Sequence, residues 1–324
     1  MIDRLTVVES PDHDPYRNLA IEEYLLETAG PGECVLYLWQ NANTVVIGRN
    51  QNPWKECRTT LLEEEGGRLA RRLSGGGAVF HDLGNLNFTF LMAQENYDLS
   101  RQLAVICRGV GAFGLPAEVS GRNDILVQGR KFSGNAFYKN GRQAYHHGTL
   151  LVNADMEKLG RYLMPSRAKL RSKGVDSVQS RVVNLRELEP SVTVERLKES
   201  LIHAFREVYA APVERLETGR LEKARIEALT ARNRSWEWNF GRKLPFTLEC
   251  EDRFSWGSVQ ILLSVAEGTV QQIQVYSDAM DWSLSRELET RLTGCRLTPQ
   301  DLKERLTGEG DALKDVERLL CGCC

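Results

Sequence analysis

Three successive glycines shortly after two arginines form the segment of the chain whose residue types best suit the binding of an anion. The glycines at 75–77 let backbone N–H groups approach an anion closely and enclose it. Arg71 and Arg72 can each make bidentate contacts to a phosphate or a carboxylate, and Ser74 adds a hydroxyl. On the glycines alone, a flexible turn between strands is an equal alternative. The Gly-Lys-Ser/Thr ending of a P-loop is missing, so the pattern indicates an anion-binding loop of another kind.

A second group of residues could act on the same anion. Lys131 lies at the start of a predicted strand, flanked by Gly129 and Gly134. One ammonium that contacts both an α-phosphate and the carboxylate attacking it would stabilise the transition state of carboxyl adenylation. Taken alone, Lys131 is more often a surface lysine. Asp124, which precedes it in the same predicted hairpin, could hold Mg²⁺ or could cap its own turn, and the sequence favours neither.

Adjacent histidines and a basic segment offer further candidates. His146 and His147 lie on a predicted strand, where neighbouring side chains point to opposite faces, so the two cannot share one metal ion. One of them is expected to line a pocket. The basic segment 164–175 is either a solvated loop or a lid that closes over an anionic ligand. Trp236 and Trp238 are expected to pack at a domain junction.

Short apolar patterns predict the elements that hold these groups. Helices are predicted over 15–28 and 193–209. The runs 34–39 and 44–47 are interpreted as a hairpin, because turn-forming residues separate them. Alternation of apolar and polar residues over 86–90 predicts a strand buried on one face. Strands mixed with helices in this way indicate an α+β fold with a large mixed or antiparallel sheet.

The pattern changes after a charged stretch, 213–234, that is predicted to be helical. Beyond it, two alternating runs around a turn at 267–268 and two helices suggest a small α+β unit. We therefore predict a catalytic domain over 1–235 and an accessory domain over 236–324.

Composition excludes several classes of protein. The 324 residues are 42% apolar and carry a formal net charge of −2, so the chain lacks the basic character of a nucleic-acid-binding protein. No apolar run approaches the ~18–20 residues of a membrane span, and no apolar core follows the N-terminus as in a signal peptide. We therefore expect a cytoplasmic protein without membrane or nucleic-acid partners. The eight cysteines are irregularly spaced, which argues against a disulfide framework.

In these segments the chain resembles the bacterial two-domain lipoate–protein ligases of the biotin/lipoate ligase superfamily. The resemblance covers nearly the whole chain and rests on four motifs in order: RRLSGGGAVFHDLGN over 71–85, GRND over 121–124, RKFSGNA over 130–136 and HHGTL over 146–150. The family usually has a small polar residue in place of Leu73, a departure that leaves Ser74 and the glycines in register. The resemblance implies a ligase that uses ATP and Mg²⁺ to form lipoyl-AMP. It then passes the lipoyl group to a lysine on a lipoyl domain of a 2-oxo acid dehydrogenase or of the glycine cleavage system.

The resemblance also implies roles for individual residues. Lys131 would be the catalytic lysine, in contact with both the lipoate carboxyl and the α-phosphate. Segment 164–182 would order over the adenylate, and the accessory domain would rotate between the two half-reactions. The implied nucleotide-binding residues are Arg72, Gly77, Ala78, Val79, Phe80, Asn123 and Asp124, with Asp124 as the Mg²⁺ candidate. The implied lipoate-binding residues are Arg71, Ser74, Gly75, Gly76 and His147.

Three other functions are compatible with parts of the pattern. An ATP-independent octanoyl or lipoyl transferase would share the fold, but some such enzymes use a cysteine nucleophile and no cysteine lies inside the four motifs. A biotin ligase would show a Gly-Arg-Gly-Arg phosphate loop, which is absent. A non-catalytic lipoyl-domain-binding module would not need Arg72, the glycines and Lys131 together.

Overall fold

A large mixed sheet and a small antiparallel sheet organise the chain in a computed structural model, which describes residues 2–121, 123–164, 182–241, 245–308 and 310–323. The N-terminal part contains eleven strands: β1 (Arg4–Glu9), β2 (Glu33–Trp39), β3 (Thr44–Ile47), β4 (Arg68–Arg71), β5 (Val79–His81), β6 (Asn85–Ala93), β7 (Ala117–Ser120), β8 (Asp124–Val127), β9 (Arg130–Lys139), β10 (Gln143–Leu151) and β11 (Val213–Glu217). Eight of them form one sheet in the order β11-β1-β2-β6-β10-β9-β8-β7. The other three form a separate sheet in the order β4-β3-β5. The predicted α+β class is confirmed.

Helices cover both faces of the large sheet. Those of the N-terminal part are α1 (Pro15–Thr28), α2 (Pro53–Glu56), α3 (Thr59–Glu64), α4 (Leu99–Gly111), α5 (Met156–Tyr162), α6 (Leu185–Leu188), α7 (Val194–Tyr209), α8 (Lys223–Arg234) and α9 (Trp236–Phe240). Thr193 caps α7, because its side chain accepts a hydrogen bond from the backbone N–H of Arg196. Helices α4 and α7 pack on one face, where Phe88, Phe90 and Phe205 are fully buried. Helices α1 and α8 share a second apolar cluster on the other face, beside the three-stranded sheet.

The C-terminal part has its own apolar core. Its strands β12 (Leu248–Phe254), β13 (Gly257–Ala266) and β14 (Thr269–Ser277) form an antiparallel sheet. Three helices pack with it: α10 (Leu284–Leu292), α11 (Pro299–Arg305) and α12 (Asp311–Cys323). The predicted turn at 267–268 joins β13 to β14, and Thr298 caps α11 as the Thr-Pro pair suggests. The sequence predicted two helices here, and the structure has three.

Three local predictions were wrong, each because contacts with distant parts of the chain override the local pattern. Strand β3 does not form a hairpin with β2; it pairs with β4 and β5, whereas β2 lies between β1 and β6. Strand β6 is not half-buried: packing on both sheet faces buries it from Asn85 to Met92. The charged stretch 213–234 begins with β11, parallel to β1, and is helical only from Lys223. The proposed division of domains at 235/236 remains a prediction.

None of the helices in the described part of the chain combines the length and the apolar character that a membrane span requires.

Candidate active site

A cavity of about 280 Å³ lies between the two sheets of the N-terminal part. Residues of α1, of both sheets and of the loop after β4 line it, because the three-stranded sheet packs over the middle of the large one. Eight of the residues singled out from the sequence meet here: Arg72, Gly76, Gly77, Ala78, Val79, Asn123, Lys131 and His147. Five other residues singled out from the sequence do not line the cavity: Arg71, Ser74, Gly75, Phe80 and Asp124.

Lys131 projects into this cavity from the start of β9. Its Nζ lies 2.6 Å from Asp124 Oδ1, and the two side chains are 33% and 39% exposed. The ammonium passes over Gly134, where an added Cβ would come within 3.1 Å of Nζ. The predicted hairpin of β8 and β9 produces this pair, since it brings the two segments side by side. An anionic ligand that enters the cavity could therefore replace the half-exposed Asp124 carboxylate as the partner of the Lys131 ammonium.

The glycine loop is held by Arg72. Its Nη2 donates to the carbonyl oxygens of Gly75 and Gly77 at 2.7 and 2.8 Å, and its Nη1 donates to that of Val46 at 3.2 Å. Its Nε donates to Ser74 Oγ at 3.0 Å. Burial lowers the pKa of Arg72 to about 10, so the group remains a cation at neutral pH. The loop therefore presents a fixed positive charge at the cavity wall.

Arg71 has a different environment from its neighbour. Adjacent residues of a strand point to opposite sides, and Arg71 lies on the side away from the cavity. It is buried, and its guanidinium donates to five backbone carbonyl oxygens, those of Gly48, Arg49, Gln51, Trp238 and Asn239. The contacts join the turn after β3 to α9. Arg71 does not line the cavity, and its implied contact with lipoate remains an untested prediction.

The C-terminal part packs directly on the glycine loop. The backbone N–H of Gly76, a residue at φ +86°, donates to the carbonyl oxygen of Ala279 at 3.1 Å. A Cβ added to Gly75 would lie 2.3 Å from the same oxygen. Trp282 stacks on Tyr138 of β9, with 5.0 Å between ring centroids. The close approach of two backbones explains why a glycine is needed at position 75.

The two histidines point to opposite faces of β10, as predicted. His146 is fully buried against Phe88 and Phe90 on the face covered by α4 and α7, and burial lowers its pKa to about 3. His147 faces the cavity. The described residues contain no group of three or more His, Cys, Asp or Glu side chains arranged to hold a metal ion.

Trp238 of α9 contacts three arginines that come from different segments of the N-terminal part. The Trp238 ring lies under the guanidinium groups of Arg49 and Arg232, at 4.3 and 4.2 Å, and its Nε1 donates to the carbonyl oxygen of Arg71. Trp236 is half exposed and stacks on Phe240. The basic segment 164–175, interpreted as a solvated loop or a lid, lies outside the described residues except for Met164. The segment 164–182 that the resemblance places over the adenylate lies outside them except for its two ends.

Sequence reasoning missed several residues of the cavity wall. Leu19, Trp39, His81 and Asn87 line its inner part, and Glu22 contacts it through His147. Glu22 had a recognisable signal, because a glutamate three residues after Leu19 lies on the apolar stripe of α1. The other four could not be assigned to a pocket before the pairing of the two sheets was known.

Comparison with known proteins gives consistent results over the chain. Residues 14–206 match the family described as lipoyl protein ligase A/B catalytic domain, and residues 243–318 match the bacterial lipoate protein ligase C-terminus. A lipoate-protein ligase A of Psychrobacter cryohalolentis is 41% identical over 310 residues, which cover 93% of this chain and 91% of that protein.

Solved structures are similar as well. The structure of P. falciparum LipL1 in complex with lipoate superposes with a TM-score of 0.86 at 28% identity, over 97% of this chain and 98% of that one. A bipartite lipoate protein ligase of Thermoplasma acidophilum, solved with its E2 lipoyl domain, gives 0.66 at 26% identity over 75% of this chain and 99% of that one. A lipoate-protein ligase A bound with ATP gives 0.64 at 25% identity, over 74% and 99% of the two chains.

Proposed function

Since the chain belongs to the lipoyl protein ligase A/B family and is a ligase, we propose that it activates lipoate with ATP to form lipoyl-AMP. It then transfers the lipoyl group to a lysine of an acceptor protein. The observation that carries this proposal is the convergence of two cations on one cavity: the Lys131 ammonium and the Arg72 guanidinium with its glycine loop. The ligands that similar structures hold, lipoate in one and ATP in another, agree with such a site.

Adenylation follows from these positions. The lipoate carboxylate attacks the α-phosphorus, the bond to the β-phosphate oxygen breaks, and pyrophosphate leaves with the electron pair. Lys131 would give up its contact with Asp124 and bridge the attacking carboxylate and the α-phosphate, which offsets the charge that develops between them. Arg72 would stabilise the same charge from the glycine loop. Asp124, once released, would supply a carboxylate oxygen to Mg²⁺, which shields the phosphates and commonly binds through one or two carboxylates.

The remaining assignments follow the lining of the cavity. The acyl chain would lie against Leu19 and Trp39, and the nucleotide would contact the backbone of residues 77–80 together with Asn123. Ser74, Gly75 and Gly76, which the resemblance assigns to lipoate binding, would shape the glycine loop beside the carboxyl group of lipoate. His147 would contact the chain from β10.

Transfer completes the reaction. The neutral amine of the acceptor lysine attacks the carbonyl carbon of the mixed anhydride, and AMP leaves. We propose that the acceptors are lipoyl domains of 2-oxo acid dehydrogenases or of the glycine cleavage system, and that the enzyme acts in the cytoplasm. A lipoyl domain accompanies one of the similar ligases in its solved structure, which supports this choice.

Lipoate-dependent exchange of pyrophosphate into ATP tests the proposal. We expect exchange with lipoate, none with biotin, and a lipoylated acceptor when a lipoyl domain replaces pyrophosphate. An ATP-independent transferase would modify the acceptor from an acylated donor without any exchange. A binding module would retain the lipoyl domain and modify nothing. Either of these results, or exchange that depends on biotin, would refute the proposal.

A further inference from the structure

A buried carboxylate lies behind the cavity wall, outside every motif identified from the sequence. Glu22 of α1 is 1% exposed. Its Oε1 accepts hydrogen bonds from Thr89 Oγ1 at 2.7 Å and from His147 Nδ1 at 2.8 Å. A charge this deep is costly unless it is compensated, so a function that depends on its charge is the simplest reason for its presence.

A continuous chain of hydrogen bonds connects this carboxylate to the glycine loop. His147 Nε2 lies 2.8 Å from Ser74 Oγ, and Arg72 Nε donates to the same oxygen at 3.0 Å. Because Glu22 accepts the Nδ1 proton, the neutral imidazole has its free lone pair on Nε2. Ser74 therefore donates its only proton to His147 and keeps a lone pair for Arg72. The donor and acceptor roles in each hydrogen bond of this chain therefore determine the roles in the next one.

We propose that Glu22 is a positioning residue of the adenylation site, which acts through His147 and Ser74 on the Arg72 guanidinium. It has the charge opposite to that of Arg72, and both groups are buried, so each stabilises the other at a distance. Arg72 in turn holds the carbonyl oxygens of Gly75 and Gly77. The carboxylate thereby fixes the shape of a loop that it does not touch. This inference rests on the proposed function, because it assigns the aligned loop to nucleotide activation.

Glu22→Gln is the test, since it keeps the shape of the side chain and removes its charge. A glutamine keeps an acceptor oxygen for His147 Nδ1, but this hydrogen bond is no longer charge-assisted, so the imidazole and the Ser74 hydroxyl are held less firmly against Arg72. Losing a charge-assisted link should lower kcat/KM for pyrophosphate exchange about 30-fold. Glu27→Gln is the matched control on the same helix: Glu27 pairs with Arg225 at the surface, and its substitution should leave exchange unchanged.

A double-mutant cycle distinguishes positioning from a general structural effect. If Glu22 acts through the chain of hydrogen bonds, Ser74→Ala removes the same interaction, and Glu22→Gln adds little to it. The double variant should then lose about 30-fold, not the ~1000-fold product that two independent effects would give. Multiplying effects would overturn the proposal. Should Glu22→Gln fail to fold, the cycle of His147→Gln with Ser74→Ala tests the same link by the same criterion.

A measurement without substrates separates this inference from the proposed function. In protein labelled with ¹⁵N-histidine, we expect the His147 ring to carry its proton on Nδ1, with a downfield N–H resonance. That resonance should move upfield in Glu22→Gln and stay in place in Glu27→Gln; the His147→Gln variant identifies it. A ring protonated on Nε2 in the wild-type enzyme would overturn the inference even if exchange is normal. A wild-type enzyme without lipoate-dependent exchange would overturn the proposed function, whatever the resonance shows.

Discussion

Replacing Arg71 by lysine should destabilise the protein without weakening the binding of lipoate. The guanidinium of Arg71 contacts five backbone carbonyl oxygens in two segments, 48–51 and 238–239. A lysine ammonium has one nitrogen and three N–H groups, so it cannot span both segments as the planar fork does. At least two of the five contacts are lost, and the carbonyl oxygens that made them stay buried.

The size of the effect follows from these contacts. A hydrogen bond from a charged donor contributes ~1.5–3 kcal/mol, so losing two of them should lower the free energy of unfolding by about 3–6 kcal/mol. For a domain of this size the corresponding fall in the unfolding midpoint is at least ~6 °C. Arg68→Lys is the matched control, because Arg68 lies on the same strand β4 but is half exposed, with its nearest acidic partner 3.9 Å away. We expect it to change the midpoint by less than ~2 °C, as substitutions at the surface usually do.

Thermal unfolding and pyrophosphate-exchange kinetics together distinguish a structural role of Arg71 from a ligand-binding role. Both variants should keep the KM for lipoate of the wild-type enzyme when assayed well below their midpoints. A raised KM in Arg71→Lys with an unchanged midpoint would refute the reasoning. Arg71 would then be a ligand-binding group that leaves its backbone partners when substrate binds.

Three further predictions follow. Lys131→Ala should lower pyrophosphate exchange by about 10²–10³-fold and hardly alter stability, because the ion pair it removes is exposed; full exchange in this variant would remove Lys131 from the mechanism. Gly75→Ala should push the C-terminal part off the loop, because its Cβ would lie 2.3 Å from the Ala279 carbonyl oxygen, and faster proteolytic release of the C-terminal part would show it. Burial lowers the pKa of His81 from 6.5 to about 3, so between these values the unfolded chain binds the extra proton. The contribution of His81 to the free energy of unfolding should therefore be complete above pH ~6.5 and fall toward pH 3. The slope of this free energy against pH should be shallower in His81→Asn but not in His203→Asn, whose histidine is exposed. Equal slopes in the two variants would contradict this.

Much of the site could be predicted from local patterns. A run of glycines, two arginines shortly before it and a lysine at a strand start are local features, and the chemistry of each follows from its residue type. The alternation of side chains along a strand also separated His146 from His147 correctly. The same rule separates Arg71 from Arg72, and applying it to the end of β4 would have indicated that only one of them faces the cavity.

The tertiary structure decided which strands are neighbours and which buried groups meet. Strand β3 joins β4 and β5, and apolar residues of all three strands share one buried cluster. Short-range turn signals carry no information about that choice. The partnership of Glu22 with His147 links residues 125 positions apart through the packing of α1 on β10. Residue types along the chain therefore determine the chemistry that is available. The groups that act together are determined by long-range packing, because a contact between distant segments depends on every element that separates them.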